Sequence, residues 1–205
     1  MATPSQYTRI FRLSIEPVVL KGPRLTLEPL EERHFEQLYP VLNPEIWKWY
    51  TVQLRSEKDL TEFLLERLKE QVEGRSLCFA IRDNASGQLV GSSCFLNIDR
   101  QNRRVEIGAT WFGIDWQRTY ANTESKFLML SHAFDKLSCI CVQFQTDAFN
   151  EKSRQALERL GARCDGILRS HRICQDGRIR DSVFYSIIEA EWPQVRERLL
   201  QRLAR

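Results

Sequence analysis

The chain has 205 residues, of which 42% are hydrophobic and 28% charged, a composition that excludes disordered, fibrous and membrane-embedded classes. Thirty basic residues against 27 acidic residues give a formal charge of +3, which argues against a nucleic-acid partner. No apolar run approaches the roughly 20 residues that span a bilayer, and the first 20 residues lack the apolar segment of a secretory signal. We therefore expect no membrane association.

The six cysteines form no CxxC pair and have no histidine partner at zinc-finger spacing, so we expect no metal site. Most of them lie in apolar runs such as LCFAI (77–81) and CICV (139–142), where a free thiol packs as a small hydrophobic group. Reduced cysteines, together with the lack of a targeting segment, predict a cytoplasmic protein.

The first 22 residues have weak periodicity and lead up to a Gly22-Pro23 pair, a pattern typical of extended backbone. We expect an N-terminal extension at residues 1–22, a folded domain at 23–190 and a C-terminal helix at 191–205.

The first half of the domain predicts a strand, two helices and a three-stranded meander. Ser56 followed by Asp59 resembles a capping box at the start of the second helix, and Gly74 ends that helix. The meander turns are too short for crossover connections, which excludes a purely parallel sheet. The expected elements lie at residues 24–30, 31–41, 56–74, 77–81, 89–96 and 104–112.

The third meander strand, RVEIGATWF, alternates between two faces of the predicted sheet. Strict alternation places Val105, Ile107, Ala109 and Trp111 on one face, and Glu106, Gly108, Thr110 and Phe112 on the other.

The second half predicts a helix, a strand, a short helix, a hairpin and a final basic helix. Asn150 is expected to open the short helix and Gly161 to end it. The expected elements lie at residues 127–137, 139–146, 150–161, 165–173 and 180–189. The whole pattern indicates one mixed α/β domain.

The segment GIDWQRTYANTESK, residues 113–126, leads from a strand into a helix. Such a junction presents free backbone N–H groups at the positive end of the helix dipole, which favours an anion. Arg118 would add a positive charge. Thr or Asn before a helix is most often an ordinary N-cap, which the pattern alone favours over anion binding, and both interpretations stay open here.

Several short motifs follow one another along the chain: EIG (106–108), WQRTYANTE (116–124), AFDKL (133–137), the N-x-x-S of Asn150 and Ser153, LERLGARCDGILR (157–169) and DGRIRD (176–181). In this order and spacing they resemble the GNAT superfamily of acyl-CoA N-acyltransferases, in particular its ribosomal-protein N-acetyltransferase (RimJ/RimL-like) branch. The resemblance runs from about Arg24 to Glu189.

The resemblance implies a central mixed, mainly antiparallel sheet splayed into a V, with acetyl-CoA in the opening as acyl donor. The pantetheine arm would pair with backbone near Trp111, Phe112 and Gly113, and the pyrophosphate would meet a Q/R-x-x-G-x-G/A loop. The other residues that the resemblance assigns to the cofactor are Gln117, Arg118, Thr119, Tyr120, Ala121, Asn122, Thr123, Asn150 and Ser153.

Two positions depart from the family loop. Tyr120 stands where the family has Gly, and Asn122 stands where it has Gly or Ala. Gly permits close backbone approach and a positive φ, whereas a larger side chain carries a steric cost. The departure supports an alternative function, a catalytically weak GNAT-fold module that binds acyl-CoA or regulates a partner.

Two residues are candidates for proton transfer. The resemblance places the Ser153 hydroxyl near the thioester sulfur as general acid, although Asn150 and Ser153 also fit an ordinary helix start. Glu106 is the candidate base for the attacking amine, although it can equally form an ion pair with Arg103 or Arg104.

The aromatic residues Trp47, Trp49 and Tyr50 lie between the first two helices and are candidates for acceptor binding or for covering the core. The basic stretch 169–180 can attract an acidic acceptor, RNA or the cofactor, or can be a solvated face. We expect direct acetyl transfer to a primary amine, either a protein N-terminus or a small amine. A homodimer stays open.

Overall fold

The computed structural model describes residues 13–204, and the first part of the predicted extension, residues 1–12, lies outside the described residues. Eight strands form one sheet: β1 (Leu20–Lys21), β2 (Leu25–Pro29), β3 (Leu77–Asp83), β4 (Leu89–Asp99), β5 (Arg104–Phe112), β6 (Cys141–Asp147), β7 (Arg163–Ile173) and β8 (Ile179–Ile188). The helices are α1 (Phe35–Leu38), α2 (Glu57–Val72), α3 (Tyr120–Ser131), α4 (Glu151–Leu160) and α5 (Trp192–Leu203). The predicted α/β class is confirmed.

The strands lie in the order β1-β2-β3-β4-β5-β6-β8-β7, and every neighbouring pair is antiparallel except β5 and β6. The parallel pair runs in register from Arg104 opposite Cys141 to Glu106 opposite Gln143. Beyond this short ladder the two strands diverge. The sheet therefore opens into a V between β5 and β6.

The helices cover the two faces of the sheet and enclose two hydrophobic cores. One core lies under α3, α4 and α5 and includes Leu130, Leu157 and Val195. The other lies under α1 and α2 and includes Leu38 and Leu64. Because the V passes through the sheet, it connects the two helical layers.

Local sequence signals account for the helix ends. The Ser56 hydroxyl accepts the Asp59 N–H at 3.1 Å while the Asp59 carboxylate accepts the Ser56 N–H at 3.0 Å, which confirms the predicted capping box. Gly161 ends α4 with a φ of 102°, a conformation that glycine adopts without steric cost.

The predicted first helix, residues 31–41, is wrong as a continuous element. Only α1 is α-helical, and it is flanked by 3₁₀ turns at Glu32–His34 and Tyr39–Val41. Pro40 has no N–H to donate, so the α-helical hydrogen bonding cannot continue through it. The following aromatic segment is also ordered, as a 3₁₀ helix at Pro44–Trp49 rather than a loop.

The predicted alternation of β5 is wrong beyond Gly108. Ser92 lies opposite Trp111 and Cys94 lies opposite Gly108, so Ser93 faces two residues, Ala109 and Thr110. This β-bulge, in which Ala109 has a φ of 47°, reverses the direction of every later side chain. Val105 and Ile107, before the bulge, pack under α3, and after it Phe112 packs there too, whereas Ala109 and Trp111 pack under α2.

The cysteines are not all free. Cys78 and Cys94 lie opposite each other on β3 and β4, with Cα atoms 4.0 Å apart, and form a disulfide. This corrects the prediction that they are free thiols and removes the cysteine argument for a cytoplasmic location. The other four cysteines are free: Cys139, Cys141, Cys164 and Cys174.

Both predicted flanking regions pack on the domain where the structure describes them. Leu13 and Leu20 are buried in the core under α3, and β1 adds an edge strand that the sequence pattern did not predict. In α5, Trp192 and Leu199 are buried in the same core. Of the helices within residues 13–204, none combines the length and the apolar character needed to cross a membrane.

Candidate functional site

A cleft of about 1910 Å³ enters the molecule where β5 and β6 diverge. Its first wall, here called the α3 wall, consists of Gln117, Arg118, Thr119, Asn122, Thr123 and Lys126. Its second wall lies on the side of the sheet that α2 covers and is here called the α2 wall. It consists of Trp49, Tyr50, Glu106, Arg172 and Arg180. The N-terminal part of α4 lines the same cleft through Asn150 and Ser153.

The α3 wall is built on a helix start. Thr119 is the N-cap of α3, and its hydroxyl accepts the Ala121 N–H at 3.1 Å. The first N–H groups of a helix have no acceptor within the helix and lie at the positive end of its dipole. Since Asn122 and Thr123 of this first turn line the cleft, the wall offers an anion both backbone donors and polar side chains.

Tyr120 points away from the cleft. Its hydroxyl donates to Asp83 Oδ1 at 2.6 Å, and the Arg24 guanidinium lies 4.3 Å from its ring centroid. The left-handed φ in this loop, 61°, belongs to Arg118, whereas Tyr120 is the first residue of the helix. The steric cost expected for a side chain at position 120 is therefore absent, and Ala121 is likewise buried in the core.

The end of β5 contributes to the cleft only in part. Trp111 and Phe112 line it, but Gly113 does not. Gly113 packs against Val41 instead, since a Cβ on that glycine would lie 3.0 Å from the Cβ of Val41. The indole N–H of Trp111 is buried and has no hydrogen-bond acceptor among the described residues.

Asn150 is the N-cap of α4, as one of its two interpretations predicted. Its Oδ1 accepts the Ser153 N–H at 3.1 Å. The Ser153 side chain is partly exposed and faces the cleft. Its hydroxyl is thus placed where it can meet a bound molecule.

Glu106 lies at the last paired position of β5 and β6, where the V begins. Only 8% of the residue is exposed, and burial raises its pKa against the opposing effects of the Asn97 hydrogen bond and of nearby Arg172 and Arg180. Asn97 Nδ2 donates to Glu106 Oε2 at 2.7 Å. A buried carboxylate of raised pKa in a cleft is a candidate acid or base.

The predicted ion-pair alternative for Glu106 is not what the structure shows. Arg104 pairs instead with Asp99, at 2.9 Å between Nη2 and Oδ2. Within residues 13–204, no ion pair joins Glu106 to Arg103 or Arg104.

The three aromatic residues between the first two helices, Trp47, Trp49 and Tyr50, have different positions relative to the cleft. Trp47 is fully buried and does not line the cleft, so its position agrees with the second of its two predicted uses, covering the core. Its ring packs 5.5 Å from Trp111 and 4.7 Å from Tyr50. Trp49 and Tyr50 do line the cleft, and the Tyr50 hydroxyl donates to the carbonyl oxygen of Thr110 in the β5 bulge.

Lys126 is a cleft residue that sequence reasoning missed. It is 5% exposed, and its Nζ lies 2.6 Å from Thr110 Oγ1 and 3.4 Å from Ser93 Oγ. Burial lowers its pKa to about 7, with the charge of Glu106 acting in the opposite direction. Its helical spacing from Leu130, at i and i+4, places both on the buried face of α3 and was the available signal.

Arg180 was also missed as an individual residue, although it lies in the predicted basic stretch. It is buried on β8. The odd-numbered residues Val183 and Tyr185 of this strand pack under α3, so the even-numbered Arg180 faces the other side of the sheet, the side of Glu106. No signal in the sequence distinguished it from its exposed neighbours.

The chain matches a known family of proteins. A family model described as an acetyltransferase (GNAT) domain matches residues 24–163. The uncharacterized N-acetyltransferase p20 of Bacillus licheniformis is 23% identical over 171 residues, which cover 82% of this chain and 95% of p20.

Two further relatives agree. YdaF of Bacillus subtilis, whose name provisionally describes a ribosomal N-acetyltransferase, is 31% identical over 106 residues, covering 52% of this chain and 57% of YdaF. The crystal structure of a GCN5-related N-acetyltransferase from Brucella melitensis superimposes with a TM-score of 0.86 at 28% identity. That superposition covers 93% of this chain and 87% of the Brucella chain.

Proposed function

This chain belongs to the GNAT acetyltransferase family, and we propose that it transfers the acetyl group of acetyl-CoA directly to a primary amine, either a protein N-terminus or a small amine. One observation supports the proposal above all others. A single cleft holds a helix start suited to phosphates on one wall and a buried carboxylate, Glu106, on the other.

The residues present fit the donor. Acetyl-CoA supplies an acetyl group activated as a thioester. The first-turn N–H groups of α3, together with Arg118 and Thr123, would hold its phosphates, since that helix end favours negative charge. Trp111 and Phe112 would flank its arm where β5 diverges from β6.

Glu106 would take the proton of the acceptor amine, directly or through a water molecule. The attacking amine must be neutral, and an α-amine has a reference pKa near 8, so a nearby carboxylate gives sufficient help. Asn97 donates to one oxygen of Glu106 and fixes the carboxylate at the base of the V.

Thr110 would be held in place from both walls. Lys126 binds its hydroxyl from the α3 side, and Tyr50 binds its carbonyl oxygen from the α2 side. The bulge backbone is thereby fixed between donor and acceptor. Lys126 and Tyr50 are positioning residues in this proposal, because they act through Thr110.

Ser153 would donate a proton to the departing sulfur, with water as an alternative source. Direct transfer, rather than transfer through an acyl-cysteine, is supported by the cysteine positions. No cysteine lines the cleft within the described part of the chain. Burial also raises the pKa of Cys139 to about 12, so this thiol stays protonated at neutral pH.

The alternative of a catalytically weak binding module rested on Tyr120 and Asn122. Tyr120 turns away from the cleft toward Asp83, and Asn122 lies in the first turn of α3 with its side chain at the cleft. Neither observation favours loss of donor binding.

Isothermal titration calorimetry with acetyl-CoA, followed by measurement of thiol release with a panel of amines and peptides, tests the proposal. We expect saturable binding and steady turnover with at least one acceptor. Binding without turnover would support the regulatory module, and absence of binding at millimolar ligand would exclude both. A cytoplasmic location, a homodimer and the domain limits at residues 22 and 190 stay predictions.

A further inference from the structure

Two arginines lie side by side on the α2 wall of the cleft. Arg172 of β7 and Arg180 of β8 occupy directly opposed positions in the hairpin, and both line the cleft. Like charges at opposed positions destabilise an antiparallel pair. The stability of the hairpin therefore does not account for this pair.

Arg180 is nine-tenths buried, with 8% of the residue exposed, yet its donors are incompletely used. Its Nη1 donates to the Trp49 carbonyl oxygen over a long distance of 3.5 Å. Its buried Nε has no hydrogen-bond acceptor anywhere in residues 13–204. A guanidinium has five N–H donors, and a buried donor left unpaired costs free energy.

The carboxylate beside Arg180 is already engaged. Asp147 Oδ2 accepts from Arg178 Nη2 at 2.6 Å, and Oδ1 accepts the Phe149 N–H at 2.9 Å. Arg180 Nε lies 3.8 Å from Asp147 Oδ2, beyond hydrogen-bond distance. The single carboxylate of Asp147 is thus shared as an ion-pair partner by Arg178 and Arg180, and the three arginines Arg172, Arg178 and Arg180 retain excess positive charge beside it.

We propose that Arg180, assisted by Arg172, binds an anionic oxygen group, a carboxylate or a phosphate, carried by the acceptor amine. A guanidinium matches the planar geometry of such groups and can bind them through two hydrogen bonds. This inference rests on the proposed function, since it places the acceptor beside Glu106. The same two arginines act on the pKa of Glu106, so they lie within electrostatic range of the base.

The binding test uses inorganic phosphate and acetate as separate ligands, titrated by calorimetry into the full-length protein saturated with CoA. Saturation keeps the α3 wall occupied, so that added anions report on other sites. We expect the wild type to bind at least one anion and Arg180→Gln to bind it at least about tenfold more weakly, as loss of a charged hydrogen bond predicts. Preference for acetate or for phosphate identifies the group.

Two further variants keep the test decisive. Arg172→Gln changes an exposed residue and should weaken binding about threefold. It serves as the test variant if Arg180→Gln fails to fold. Arg169→Gln, an exposed arginine of β7 outside the cleft lining, makes the same charge change and should leave binding unchanged. Equal weakening by R169Q, unchanged binding in both cleft variants, or no wild-type binding of either anion would overturn the proposal.

Matched acceptors test the same inference during turnover. Thiol release is compared for β-alanine against β-alaninamide and for O-phosphoethanolamine against ethanolamine. We expect at least about a tenfold higher kcat/KM for the anionic member of one pair, and loss of that advantage in R180Q without change for the neutral member. Turnover without such a preference overturns this inference alone. Absence of turnover with every amine, while R180Q still loses anion binding, overturns the proposed function alone.

Discussion

The two walls of the cleft bury charge in opposite ways. On the α3 wall, Lys126 lies against the hydroxyls of Ser93 and Thr110, and no carboxylate within residues 13–204 is in direct contact with it. On the α2 wall, Glu106 lies within the field of Arg172 and Arg180. Burial thus lowers the pKa of the cation on the α3 wall and raises the pKa of the carboxyl on the α2 wall, and only the second of these groups takes a proton in the proposed mechanism.

The largest expected effect tests the carboxylate of the α2 wall. Glu106→Gln removes the base while keeping the Asn97 contact region similar in size, so kcat should fall by about 10²–10⁴-fold. In the wild type, activity should decline as the pH falls through the raised pKa of Glu106, and this acid limb should vanish from the residual activity of the variant. Thiol release measured across pH checks both.

The free energy of unfolding of E106Q should not fall with its kcat. A carboxyl whose pKa is raised in the folded state binds more protons there than in the unfolded chain, so its contribution falls as pH rises through that pKa. E106Q should therefore be at least as stable as the wild type above neutral pH. Glu66→Gln, on α2 at the cleft edge, is the control, and equal loss of kcat in E66Q would contradict the assignment.

A smaller effect is expected on the α3 wall. Lys126→Met removes the bond to Thr110 Oγ1 and should lower kcat by about ten- to a hundredfold through misplacement of the bulge, with little change in KM for acetyl-CoA. Lys136→Met, on the exposed surface, serves as the matched control. A change confined to KM would contradict a positioning role.

The lowered pKa of Lys126 is tested by comparing how the free energy of unfolding depends on pH in K126M and in the wild type. Between about pH 7 and the reference value of 10.5, the unfolded lysine holds a proton that the folded lysine has lost. The unfolded state then binds more protons, so wild-type free energy of unfolding rises with pH across that window. Urea unfolding of K126M should show a weaker rise, and an unchanged slope would exclude the lowered pKa.

The smallest functional effect is expected at Tyr120. Tyr120→Phe removes the bond to Asp83 but leaves the cleft unaltered, so KM for acetyl-CoA should stay within about twofold, while the free energy of unfolding falls by about 1–2 kcal/mol. Urea unfolding and steady-state kinetics measure the two. Tyr39→Phe, which loses a bond to Thr61 elsewhere, is the control. A tenfold rise in KM would place Tyr120 in donor binding after all.

Local signals predicted the elements well wherever one residue type has one structural use. Ser56 with Asp59 marked a helix start, Gly161 marked a helix end, and Asn150 capped α4 as its simpler interpretation required. The turn-separated meander likewise placed the strands that carry Glu106. These features depend on neighbours in the chain, which the sequence displays directly.

The features that were missed depend on contacts across the fold. Alternation cannot reveal the residue added at Ala109, because the pattern on each side of a bulge looks regular by itself. Burial of Trp47, Lys126 and Arg180 depends on which elements pack over them. The pairing of Cys78 with Cys94 depends on register, which composition does not contain.

The bulge in β5 makes the cleft sensitive to the number of residues in the strand as well as to their identity. Removing one residue between Gly108 and Trp111 would restore regular pairing and turn the following side chains to the opposite face. Trp111 would leave its partner Trp47, and Phe112 would leave the core beneath α3. A single-codon deletion here would therefore exchange the sheet faces of Trp111 and Phe112, although the codons of both aromatic residues would still be present in the gene.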